Sequence, residues 1–431
     1  MKPRVDPGPA SKLEIFAWCM FDFANSSFTT MIVTFAYPLY FVKTVTAAKG
    51  YTPGEADGLW GLGSGVSQAL VLLSAPVVGA IADFSGGKKR FLLVTYLGCV
   101  AGTAALAFVG PGDVALGLGI FIAANVCFSS GENIIAAFLP EIAAPEKMGR
   151  VSGLGWALGY FGGIGSLFVS LPFLKDGVGA ENAASVQVSF VIVAIYFLVA
   201  GLPTFLFLRE RAVPRPRPAG QGYARLGFGR VLKTLKEVRR YRQLFRFLFV
   251  FLAYTCGVNA VVYFSNIYAE REIGMGLPEL IVLFAILNLS GALGAYAFGT
   301  LQDRVSSKMA IILSLVLWLA ACVQAYFSTS RIPFYVAGLL AGLALGSSQS
   351  AGRALVGTFA PASRSGEFFG FWGLFWKLSA VIGLPLFGTI SEHYDIRTAI
   401  LSTMAFFVIG IFGMLFIDEE EGRRTAREAG P

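Results

Sequence analysis

Apolar residues run along this chain in long blocks separated by short polar stretches. About 20 helical residues cross the hydrocarbon core of a bilayer. Twelve blocks are long enough: Phe16–Phe41, Leu59–Phe84, Phe91–Val109, Val114–Leu139, Val151–Leu174, Val186–Leu208, Leu244–Ala269, Leu280–Leu301, Met309–Phe327, Pro333–Phe359, Phe368–Ile390 and Thr398–Ile417. The pattern predicts an all-α integral membrane protein with twelve transmembrane helices. Pro38, Pro76, Pro172, Pro203 and Pro385 fall inside blocks, where lipid-embedded neighbours can re-satisfy the freed backbone groups. The first block exceeds a signal-peptide core and lacks a cleavage site, so it is expected to stay.

The second block ends at Gly79-Ala-Ile-Ala-Asp83, then a Gly-containing turn leads to Lys88, Lys89 and Arg90. The same order returns at Gly299-Thr-Leu-Gln-Asp303, with Lys308 after it. Gly79 and Gly299, Asp83 and Asp303, and Lys88 and Lys308 are each 220 residues apart. Ser129-Ser-Gly-Glu132 and Pro140 match Ser350-Ala-Gly-Arg353 and Pro361 at an offset of 221. One six-helix unit is therefore used twice in the same direction. The expected division is a cytoplasmic tail 1–13, a bundle 14–209, a basic cytoplasmic linker 210–242, a second bundle 243–418 and a cytoplasmic tail 419–431.

The Gly-x-x-x-Asp loop between two apolar blocks resembles the signature of the major facilitator superfamily, which joins the second and third helices. Phe84 stands where that signature carries a cation, and the second copy lacks most of the basic cluster. The resemblance implies two parallel six-helix repeats around a cavity lined by the first, fourth, seventh and tenth helices. The expected conformational-switch residues are Gly79, Asp83, Lys88, Arg90, Gly299, Asp303 and Lys308.

Composition agrees with lipid as the solvent, since 55% of residues are hydrophobic and only 14% charged, more apolar side chain than a soluble core could hide. Cys19, Cys99, Cys127, Cys256 and Cys322 all lie in apolar blocks and read as buried thiols. With a single histidine, His393, no His-based metal site or triad is available; no cofactor, metal or catalytic residue is expected. The stretch from Gly153 to Gly163 follows no strand and precedes no lysine, so it reads as close helix packing rather than a nucleotide loop.

Of 34 Lys and Arg, 26 lie on the side that carries both termini and 6 on the other. That bias predicts an inner (plasma) membrane protein with both termini cytoplasmic. The linker Arg209–Arg246 holds 12 of them. Its Pro214–Pro218 part is expected to be extended. Gly227–Arg246 is expected to form a basic amphipathic helix whose partners are anionic lipid headgroups and not nucleic acid. The protein is expected to be a monomer.

Ionisable groups at membrane depth are costly and by default mark function. Asp22, Glu132, Arg353 and Lys377 qualify; the competing reading is structural ion pairs or snorkelling. Asp22, Asn25, Ser26 and Thr29 share one helical stripe, which should face the cavity. Lys377 stands where the first repeat has Tyr160, an asymmetry suited to a substrate site. Glu132 and Arg353 are repeat mates of opposite sign and are expected to latch across the cavity. Asp83 is expected to meet Arg90 and the chain near Ser365-Gly366, and Asp303 the chain near Gly149-Arg150.

Phe21-Asp-Phe-Ala-Asn-Ser-Ser-Phe28 is similar to the aromatic-Asp-x-Ala-Asn-Ser opening of the vacuolar effluxer family of fungal autophagy and its bacterial relatives. Phe138-Leu-Pro-Glu141, Gly149 to Tyr160 and Glu367 to Lys377 resemble further segments of that family, whose fungal members are associated with amino-acid export. The expectation is a secondary active transporter of a small polar solute, an amino acid or similar zwitterion, with protons as the candidate coupling ion. An exporter of amphipathic drugs or lipids stays open, as does a membrane-embedded enzyme acting on lipid-linked substrates.

Overall fold

A computed structural model of the chain describes residues 9–175, 177–211 and 222–429. Among them twelve helices are long and apolar enough to cross a membrane. They are α1 (Lys12–Lys49), α2 (Pro53–Ser85), α3 (Lys88–Phe108), α4 (Val114–Ile142), α5 (Pro145–Leu174), α6 (Ala180–Phe207), α7 (Arg242–Arg271), α8 (Pro278–Arg304), α9 (Ser307–Phe327), α10 (Arg331–Phe359), α11 (Ala362–His393) and α12 (Ile396–Leu415). An even number of crossings puts both ends of the bundle on one side, here called the terminal face. Capping boxes start α1 (Ser11 with Glu14) and α2 (Thr52 with Glu55) by satisfying orphan N–H groups. α2 stops at Gly86, whose φ of 58° lies in the left-handed region that ends helices. In α1, wide π turns over Thr29–Phe35 and Phe41–Thr46 flank Pro38, which has no N–H to give to the ladder.

Each half has its own aromatic-rich core. Trp18, Phe28, Tyr37, Phe121 and Phe190 are buried in the first, and Phe251, Tyr254, Trp318 and Phe407 in the second. Leucine and phenylalanine side chains such as Leu73, Leu206 and Phe412 project outward, at little cost where lipid replaces water.

Helix α5 joins the halves along one of their seams. Its glycines present bare backbone on two faces. On one, Gly162 abuts the Phe23 carbonyl of α1, and Gly159 lies against Ser26. On the other, a Cβ on Gly149 would fall 2.6 Å from the Gly299 carbonyl of α8, and Gly153 abuts the Ala295 carbonyl. The packing reading of this stretch is what the structure shows.

The linker holds a helix over Tyr223–Lys236, beginning earlier and ending sooner than the expected Gly227–Arg246; residues 237–241 turn before α7 starts. The Pro214–Pro218 segment lies outside the described residues. A last helix, Glu419–Glu428, starts on the Asp418 cap with three acids in its first turn and Arg427 in its last, the charge order that its dipole favours.

Candidate functional site

Two parts of the molecule hold the charges that sequence reading singled out. At the terminal face, Gly79 and Asp83 are one turn apart on α2. The bare Gly79 backbone touches the Gly366 carbonyl at the start of α11. Both Asp83 oxygens then accept from that helix, from Gly366 N at 3.0 Å and Glu367 N at 2.9 Å. The second copy repeats the device. Gly299 lies 2.5 Å, by its would-be Cβ, from the Gly149 carbonyl. Asp303 accepts from Gly149 N at 2.8 Å and Arg150 N at 2.9 Å. The physical reason for Gly-x-x-x-Asp is now plain: glycine admits the neighbouring helix start, and the acid one turn on caps its positive dipole end.

The cation beside Asp83 is a correction. Arg90 is exposed. Fully buried Lys88 takes the place, 3.1 Å from Asp83 and 2.7 Å from Glu141, with its ammonium donating to Ser365 Oγ at 2.6 Å. Lys308 is not its equivalent in role. The Lys308 ammonium donates to the Leu415 carbonyl at the end of α12 (2.7 Å), as Lys89 does to Leu208 past the end of α6 (2.5 Å). Glu210 accepts from the Lys88 and Lys89 N–H groups, and Glu419 from Lys308 N. Burial pushes Glu210 above the ordinary carboxylate range, partly offset by those N–H donors.

In the membrane interior, the expected Glu132–Arg353 latch is absent and Arg353 pairs with Asp22. Nη1 of Arg353 stands 2.7 Å from the Asp22 carboxylate. Its other nitrogens donate to Ser152, to the hydroxyl at 3.1 Å and the carbonyl at 2.8 Å. The guanidinium also lies over Trp18 (4.6 Å) and Trp156 (5.3 Å). Three acceptors and two ring faces offset the cost of burying this cation. All of them belong to the first half, while Arg353 belongs to the second. Gly155 makes the arrangement possible, because a Cβ there would meet both Asp22 and Arg353.

Glu132 and Lys377 lie within electrostatic reach of one another. Neither makes an ion pair or hydrogen bond among the described residues. Both are half-buried, as are Tyr160 and Gln349, whose side chains bond across the halves at 3.1 Å. Of the expected α1 stripe, Ser26 donates to the Asp22 carbonyl and Thr29 is exposed. Asn25 is buried with its Oδ1 unpartnered. Sequence reading missed Ser152, Trp18, Trp156, Glu141 and Glu210. Ser152, Trp156, Glu141 and Glu210 sat in segments that had drawn notice for other reasons; Trp18 carries no local signal beyond its apolar block.

The family model described as "Vacuole effluxer Atg22 like" matches residues 145–427, and that of the Major Facilitator Superfamily residues 4–167. The chain belongs to the Atg22-like vacuole effluxer family. This transporter is 28% identical over 421 residues to YxiO, an MFS-type transporter of Bacillus subtilis (strain 168), with 96% of each chain covered. It is 26% identical over 334 residues to autophagy-related protein 22 of Yarrowia lipolytica, covering 70% of this chain and 56% of that one. Its fold matches the human organic anion transporter MFSD10 with a TM-score of 0.74 at 15% identity, over 94% of this chain and 99% of that. It also matches the proton:xylose symporter XylE, with a TM-score of 0.74 at 12% identity over 97% of each. These relatives and neighbours are transporters, not enzymes.

Proposed function

We propose that this transporter moves a small zwitterion, an amino acid or a close analogue, across the plasma membrane by alternating access, coupled to protons. The observation that carries the reading is the division among the four interior charges. Asp22 and Arg353 satisfy each other, whereas Glu132 and Lys377, within electrostatic reach of one another, make no ion pair or hydrogen bond among the described residues. An α-carboxylate needs a cation and an α-ammonium an acid; Lys377 and Glu132 supply both at membrane depth. Glu132, without a permanent partner, is also the carboxylate best placed to exchange a proton. The cation bias supports a cytoplasmic terminal face. The name of the family supports export.

The test is flux of labelled amino acids in proteoliposomes under an imposed pH gradient. Glu132→Gln and Lys377→Ala should each weaken binding roughly ten- to a hundredfold, the size of one charge-assisted contact of about 1.5–3 kcal/mol. Glu132→Gln should also make exchange indifferent to the gradient. A protein that moves no zwitterion, or a Lys377→Ala variant that binds every transported solute normally, would overturn the reading.

A further inference from the structure

The linker helix Tyr223–Lys236 touches both halves at once. On its inner face, a Cβ on Gly227 would fall 2.8 Å from Ile81 and 2.9 Å from Val77 of α2. Val77 stands eight residues before the end of α2, or about 12 Å along a helix. The linker helix therefore lies against the flank of the bundle, at the depth of the membrane boundary. Arg230 lies 5.9 Å from the Phe84 ring of α2 and 3.8 Å from the Glu367 carboxylate of α11. It brings a cation to Phe84, the loop position that lacks one. One turn on, buried Thr234 accepts from Arg364, which also reaches Glu367 (3.3 Å), Glu237 (3.1 Å) and the Tyr241 hydroxyl (3.1 Å). Glu367 supplies one of the two N–H groups that hold Asp83. The helix thus straps the α2–α11 seam where the terminal face is closed.

Its outer face has a different chemistry. Arg225, Phe228, Leu232, Lys233 and Lys236 recur at intervals of one or two turns and form one stripe, opposite Gly227 and Thr234. Phe228 is 56% exposed, Leu232 58%, and the Lys233 side chain 72%; Arg225 and Lys236 are exposed too. Two large apolar side chains flanked by three cations are the make-up of a helix lying in a membrane interface. The sign of those cations selects an anionic surface. Lys233 has one acid near it, Glu237 at 3.8 Å, which Arg364 already holds.

We propose that the outer face of the linker helix docks on an anionic lipid surface and that this docking holds the α2–α11 seam shut. Anionic lipid then favours the form closed at the terminal face, whatever the transported solute.

The test uses the full chain in phosphatidylcholine nanodiscs with and without phosphatidylglycerol, with spin labels across the seam at the ends of α2 and α11. Phosphatidylglycerol should raise the closed population of the wild type several-fold. High salt should cancel the rise, because it screens surface charge. R225Q/K233Q/K236Q should close equally in both lipids, and Gly227→Leu, which wedges the inner face off α2, should open the seam in both. A wild type with the same closed population in both lipids overturns the proposal even if every variant misfolds. So does a triple variant that still responds to phosphatidylglycerol, or equal closure by a DNA duplex in lipid-free detergent, which would assign the face to nucleic acid. Since seam distances need no solute, these outcomes are independent of the substrate reading.

Discussion

The two Gly-x-x-x-Asp loops perform one task with unequal means. Both put a glycine and an acid on one helical stripe and cap the start of a helix in the other half. At Asp83 the cap is reinforced by fully buried Lys88, which also holds Glu141 and Ser365. At Asp303 the cap is two N–H groups alone, the acid is half-buried, and Lys308 turns away to the end of α12. The difference teaches that the minimal device is glycine plus dipole. The cation cluster is an added lock on one seam, the same seam that the linker helix straps.

The sharpest way to break the comparison is Lys88→Met against Lys308→Met. The first strips two buried carboxylates of their cation, a loss of about 3–5 kcal/mol, and should open the α2–α11 seam. The second removes a C-terminal dipole contact of about 0.3–1 kcal/mol and should leave the α5–α8 seam closed. Spin-label distances across each seam read both; equal effects would show that the loops are locked alike. Next in size, Asp83→Asn and Asp303→Asn each weaken charge-assisted N–H bonds of about 1.5–3 kcal/mol. Inward opening should be greater for Asp83→Asn, measured by cysteine accessibility at the terminal face. Gly79→Ala and Gly299→Ala should each cost about 1–3 kcal/mol by overpacking, at a site where backbone, not a flexible side chain, must move. A thermal melt unchanged by both would remove glycine from the device.

The smallest effect concerns the last helix, which docks on the second half through Glu421 and Glu419. The Gln243 amide, with the Arg242 guanidinium, holds Glu421 below the ordinary carboxylate range. A lowered pKa means that this contact is complete above the unfolded value of about 4.3 and is lost as pH falls below it. Amide protection over 419–428, corrected for the intrinsic pH dependence of exchange, should fall at pH below that value and stay flat from there to neutrality.

Much of this was legible in the chain. Block length predicted twelve spans, and the loop repeat predicted two copies of one unit. Asp83 and Asp303 were matched to the right helix starts because the dipole argument demands a partner outside the acid's own helix and the resemblance to the major facilitator fold implied which helices lie opposite. The choice among Lys88, Lys89 and Arg90 was not legible. Three adjacent cations point three ways around a helix, and which one is buried depends on how α3 is rotated against Glu141 and Ser365. For the same reason the offset of 220 paired Lys88 with Lys308, although in role Lys308 answers to Lys89.

The sequence by itself determined what is local: which segments can live in hydrocarbon, where they end, and that Gly and Asp one turn apart share a stripe. Those follow from bilayer thickness and helical pitch, which need no knowledge of neighbours. Only the tertiary structure decided which interior charges pair. Arg353 and Asp22 are 331 residues apart, and the repeat alone nominated Glu132 instead. The outcome turned on the absent side chain of Gly155, which lets Asp22 of α1 and Arg353 of α10 meet beside α5 and leaves Glu132 without Arg353 as a partner. Charge pairing at membrane depth is decided by ångström-scale approach between helices, and no pattern along one chain encodes that distance.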